Sequence, residues 1–202
     1  MFRPFLIVAA VVAAGSASAQ TGPTPGLFIS PAGEPFRARS GEAYPLPKWF
    51  AGADSDHDGG LTPTEFEQDS QRFFDVLDTN HDGKINNVET VAYETNVAPE
   101  IVRKIPLLSD QRGHPTAAMR TLPPPDGGPT RLRPPNEGAG FYALLNEPEP
   151  VTAADMDFNT IITRQEWSAA AKRRFTRLDK NADRRLTLDE LPTPPVAQAA
   201  GG

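Results

Sequence analysis

Residues 54–89 read DSDHDGGLTPTEFEQDSQRFFDVLDTNHDGKINNVE, and this stretch decides the fold. It holds two windows of twelve residues, Asp54 to Glu65 and Asp78 to Glu89, whose starts lie 24 residues apart. Both carry oxygen-bearing side chains at places one, three, five, nine and twelve, and glycine at place six (Gly59, Gly83). Only Phe66 to Leu77 separates them, with apolar residues at Phe66, Phe73, Phe74 and Leu77 on one helical stripe. One helix of about fifteen residues, about 22 Å long, must therefore serve both windows.

The same arrangement recurs 101 residues later, as DMDFNTIITRQE (Asp155 to Glu166) and DKNADRRLTLDE (Asp179 to Glu190). Laid over 155–190 without a gap, residues 54–89 match at eleven of 36 places, mostly ligand and core places. This is an internal duplication. Trp167, Ala171, Phe175 and Leu178 form the second copy's apolar stripe.

The spacing suits a hard cation, because alternate side chains of a twelve-residue loop can wrap an ion that takes six to eight oxygens. Places one, three, five and twelve supply side-chain oxygens, place seven a backbone carbonyl, and place nine often acts through water. Loop one offers Asp54, Asp56, Asp58, Gly60, Thr62 and Glu65, and loop two offers Asp78, Asn80, Asp82, Lys84, Asn86 and Glu89. Loop three offers Asp155, Asp157, Asn159, Ile161, Thr163 and Glu166, and loop four Asp179, Asn181, Asp183, Arg185, Thr187 and Glu190. Thirteen of the 26 acids stand at these ligand places, where they repel one another unless a cation sits among them. Thr62 with Glu65, Thr163 with Glu166 and Thr187 with Glu190 also read as helix capping boxes.

These loops resemble the EF-hand calcium-binding family, in an exported bacterial type with closely spaced pairs. The resemblance implies helix–loop–helix units that bind Ca²⁺ and carry out no catalysis. It also implies that the aliphatic residue at place eight (Leu61, Ile85, Ile162, Leu186) pairs two loops through a short β-bridge. A shared helix holds its two loops at opposite ends, so pairing must cross between the halves. Antiparallel packing of the shared helices then joins loop one to loop four and loop two to loop three. The expected fold is all-α: four EF-hand units in two duplicated halves, packed as one pseudo-twofold domain with a disordered proline-rich linker.

Place six is Thr160 in loop three and Arg184 in loop four. Positive φ there costs a non-glycine residue about 1–2 kcal/mol, so both sites are expected to be weakened rather than lost. Arg185 adds a further positive charge beside loop four.

The remaining sequence sets the surroundings. MFRPFLIVAAVVAAGSASAQ opens with Arg3, an apolar run and Ala17-Ser18-Ala19, the pattern of a signal peptide cleaved after Ala19. That predicts a periplasmic or secreted protein that does not engage a membrane after cleavage. There are no cysteines, so stability rests on a core, on bound metal, or on both. The net charge of -6, without a basic stripe, argues against nucleic acid. The segments expected are a signal peptide (1–19), an extended stretch (20–45), EF-hand pair one (46–97), a mobile linker (98–140), EF-hand pair two (141–192) and a disordered tail (193–202). His57, His81 and His114 form no catalytic grouping, so no enzyme is expected. Two other readings share some features: a lanthanide binder of the lanmodulin type, and a dockerin-like assembly module. Lanmodulin loops carry proline at place two, where this chain has Ser55, Thr79, Met156 and Lys180. Sensor, buffer and structural uses of calcium, and an unidentified protein partner, stay open at this level.

Overall fold

The computed structural model describes residues 26–102 and 138–200. Residues 1–25, most of the expected linker (103–137) and the last two residues lie outside that description. The first half contributes α1 (Leu46–Ala53), α2 (Pro63–Leu77) and α3 (Asn87–Ala92), and α3 runs on into a π-helical turn at Tyr93–Val97. The second contributes α4 (Arg164–Leu178) and a short α5 (Pro195–Ala200).

Helices α2 and α4 are the two shared helices, each 15 residues long. Both start on a capping box in which a threonine side chain accepts from the third helical amide while the glutamate there reaches back. Pro63 opens α2, where a missing N–H costs nothing. Each helix buries the stripe read from its sequence: Phe66, Phe73, Phe74 and Leu77 on α2, Trp167, Ala171, Phe175 and Leu178 on α4.

These stripes meet antiparallel. The Phe66 ring lies edge-on to Phe175 at 5.6 Å, and Phe74 lies edge-on to Trp167 at 5.7 Å. The two pairs are mates under the 101-residue offset, so the approximate twofold passes between the helices. At one end β3 (Lys84–Ile85) pairs antiparallel with β4 (Ile162–Thr163), placing Ile85 opposite Ile162. At the other, Leu61 and Leu186 exchange both backbone hydrogen bonds, at 2.8 and 2.9 Å. Loop one thus sits beside loop four and loop two beside loop three.

The structure departs from the sequence reading at four places. The chain is not all-α. Residues 27–37 form a hairpin, β1 (Leu27–Ile29) paired with β2 (Pro35–Arg37), in place of a merely extended stretch. Leu27, Phe28 and Ile29 are all fully buried. Alternation along the strand sends Leu27 and Ile29 into the core around Phe74 and Ile85, and Phe28 into the core around Trp49 and Phe66. The hairpin therefore joins both ends of the dyad. Its turn needs Gly33 (φ 102°), where an added Cβ would stand 2.9 Å from the Tyr93 hydroxyl that donates to the Gly33 carbonyl.

The other three departures concern the ends of the two halves. Loop four lacks the expected exiting helix, so the Thr187–Glu190 box heads only a turn. Pro192 can donate no hydrogen bond and disfavours helical geometry at Leu191. Loop three likewise lacks a full entering helix, since Pro148 and Pro150 leave room only for a 3₁₀ turn at Thr152–Ala154. Arg174, almost fully buried, fastens this stretch through Glu147 Oε2 (2.7 Å) and the Pro150 carbonyl (2.5 Å). The expected linker and tail also contribute to the core: Ala98, Ile101, Ala139 and Val196 are buried, Val196 on α5.

Candidate metal centre

Each loop is shaped by its place-one aspartate, which accepts the amide of place six. Gly59 donates to Asp54 Oδ2 at 2.9 Å and Gly83 to Asp78 Oδ2 at 2.9 Å. Thr160 donates to Asp155 Oδ2 at 2.9 Å and Arg184 to Asp179 Oδ2 at 3.0 Å. The two residues that replace glycine accept the left-handed conformation, Thr160 with φ 66° and Arg184 with φ 64°. The turn therefore forms in all four loops, at a cost in two.

Place four is left-handed as well, which the sequence reading missed: His57 (57°), His81 (57°), Phe158 (60°) and Ala182 (59°). Histidine tolerates this region better than most residues. Loops three and four therefore carry the less favourable residue at two places each. Histidine at place four of both glycine-bearing loops was the available signal.

The twelfth-place glutamate closes each loop. Glu65 Oε1 accepts the Ser55 amide and hydroxyl (both 3.0 Å), and Oε2 accepts the Thr62 amide (2.9 Å) and hydroxyl (2.8 Å). Glu89 takes the amides of Thr79 (2.8 Å) and Asn86 (3.0 Å). Glu166 takes those of Met156 (3.1 Å) and Thr163 (2.9 Å), and Glu190 takes that of Lys180 (3.1 Å). Hydrogen bonds to a carboxylate favour its charged form. The Thr62 amide foremost, then the Thr62 and Ser55 hydroxyls, outweigh desolvation and hold Glu65 down at about 2. Glu166 is lowered for the same reason, led by the Thr163 amide.

The loops differ in enclosure. Asp54, Glu65, Asp78 and Glu89 are buried, whereas Asp155, Glu166, Asp179 and Glu190 are half-buried. Asp56, Asp58, Asn80 and Asp82 line the open side of loops one and two; Asp157, Asn159, Asn181 and Asp183 do so in loops three and four. One oxygen each of Asp54, Asp56 and Asp58 lies within 4.8 Å of the others, as for Asp155, Asp157 and Glu166. In loop four Asp179 Oδ1 is buried without a hydrogen-bond partner. Carboxylates gathered at this spacing, with a buried oxygen left for a further contact, fit a hard cation. Gly60, Lys84, Ile161 and Arg185 stand at place seven, where only the backbone carbonyl is offered. Thr62, Asn86, Thr163 and Thr187 stand at place nine, and the first three serve as helix caps.

In loops two, three and four the asparagine amide also bridges a neighbouring carboxylate. Asn80 donates to Asp82 (3.1 Å), Asn159 to Asp157 (2.8 Å) and Asn181 to Asp183 (3.0 Å). Loop one has no asparagine. Its Asp58 instead receives Arg185 from loop four. The sequence reading set this charge against loop four, but the side chain crosses to loop one.

Residues 71–89, the second half of α2 and loop two, match the model of the EF hand family. Searches among curated proteins and among solved structures gave no significant match. The EF-hand match and the acidic clusters together support an EF-hand family and the binding of a divalent metal, typically Ca²⁺.

Proposed function

We propose that this is an exported protein that binds Ca²⁺ in loops one and two most tightly, with loops three and four as weaker sites. The observation that carries the reading is the pair of buried carboxylates at places one and twelve in both glycine-bearing loops. A calcium ion would supply the positive charge that these groups and the loop's other oxygens surround. Asp54, Asp56, Asp58, Thr62 and Glu65, with the Gly60 carbonyl, would hold it in loop one. Asp78, Asn80, Asp82, Asn86 and Glu89, with the Lys84 carbonyl, would hold it in loop two. Loops three and four offer the corresponding set: Asp155, Asp157, Asn159, the Ile161 carbonyl, Thr163 and Glu166; then Asp179, Asn181, Asp183, the Arg185 carbonyl, Thr187 and Glu190. The signal-like residues 1–19 support export and cleavage after Ala19.

Calorimetric titration of the mature protein with Ca²⁺, with Mg²⁺ and La³⁺ alongside, tests this. About two tight Ca²⁺ sites are expected, and Glu65→Gln with Glu89→Gln together should remove them. Two tight sites surviving in the double variant would refute the ranking of loops, and much tighter La³⁺ than Ca²⁺ binding at every site would favour the lanthanide reading.

A further inference from the structure

Loop one is the most acidic of the four, with four carboxylates at its ligand places against three in each of the others. It is also the loop whose place-five carboxylate is held by a guanidinium from its partner. Arg185 donates from one terminal nitrogen to Asp58 Oδ2 (2.8 Å), and from the other to Oδ1 (2.8 Å) and the Asp58 carbonyl (2.8 Å). This two-pronged geometry is the strong form of an arginine–carboxylate pair. The path to it runs over Gly60, where a Cβ would stand 2.1 Å from Arg185 Nε. Gly60 is thus the gap through which Arg185 reaches loop one.

The dyad does not repeat this contact. The counterparts of Asp58 and Arg185 at the other end are Asn159 and Lys84, which carry no opposite charges. Arg164 of loop three approaches Asp78 of loop two, but only to 3.7 Å, with its closer partner Asp75 at 2.5 Å. A direct two-pronged hold on a place-five ligand is made at loop one alone among the described residues.

We infer that Arg185 is a built-in counterion of loop one, which shares the Asp58 carboxylate with entering calcium and so sets that loop's affinity from loop four. This inference rests on the calcium reading proposed above. Arg185 relieves repulsion among the four carboxylates, and the same positive charge then opposes a divalent cation a few ångströms away. Arg185 also sits at place seven of loop four, whose backbone carbonyl is offered to that loop's own ion. The two paired loops are thereby linked through one residue.

The test is an NMR calcium titration of the mature protein that follows the amides of Gly59 and Gly83, which report loops one and two separately. Arg185→Gln should move the Gly59 midpoint to about tenfold lower calcium, as expected for removing one nearby positive charge, while Gly83 moves less than twofold. Gly60→Ala keeps every charge and the place-seven carbonyl but pushes Arg185 aside, so it should lower the Gly59 midpoint too. An unchanged or raised Gly59 midpoint in Arg185→Gln, or equal shifts at both glycines, would overturn the inference. If neither glycine responds to calcium in the unmodified protein, the calcium reading itself fails, and the counterion role with it.

Discussion

Thr160 stands at the glycine place of loop three and leaves the loop's shape intact. Its amide still reaches Asp155 at 2.9 Å, yet its β-branched side chain is held at φ 66°. Thr160→Gly should relieve about 1–2 kcal/mol of backbone strain and tighten calcium binding in loop three by about tenfold, measured by calorimetry. No gain would mean that the loop is limited elsewhere, with Phe158 (φ 60°) the next residue to test. Glu65 supplies a pH-dependent contribution. Its folded pKa of about 2 lies below the ordinary 4.5, so the unfolded chain binds more protons in between. The stability it confers is complete above about pH 4.5 and is lost as pH falls towards 2. In chelator, acid-unfolding curves of Glu65→Gln should lack this component, so that its stability deficit at neutral pH closes at low pH.

Between elements, the decisive contact is that of α2 with α4. Trp167 is fully buried, meets Phe74 edge-on, and donates from its indole nitrogen to the Ser70 carbonyl at 2.8 Å. Trp167→Ala should cost about 3–5 kcal/mol in denaturant unfolding, since it opens a cavity and removes the indole's hydrogen bond to the Ser70 carbonyl. A loss under about 1 kcal/mol would mean that the helices do not pack through this residue. The helices themselves were legible because a capping box, an N-terminal proline and a single apolar stripe agree on where α2 begins and what it buries. The missing exit helix after loop four was missed, because the Thr187–Glu190 box pointed to a helix; Pro192 was the available signal. A capping box favours a start; it does not supply the residues needed to continue.

Across the whole molecule, the two acidic faces sit at opposite ends of one antiparallel helix pair, each beside its own apolar cluster, and the hairpin at Leu27–Ile29 packs into both clusters. Metal that binds only the folded state raises its stability by mass action. Calcium should therefore raise the melting temperature and helix content, and a chelator should reverse both, as followed by circular dichroism. Unchanged melting with and without chelator would separate the loops from the stability of the fold.

Sequence alone was enough to find the four loops and the cross-pairing of Leu61 with Leu186 and Ile85 with Ile162. Those features follow from local spacing and from one constraint: a rigid helix cannot bring its own two ends together. Only the tertiary structure decided where Leu27, Phe28 and Ile29 go, and that Val196 packs into the core. A short apolar run names no partner until the surface that it fills exists. The same holds for Arg185. Its charge was plain in the sequence, but which loop it serves depended on Gly60 leaving a path across the bridge to Asp58.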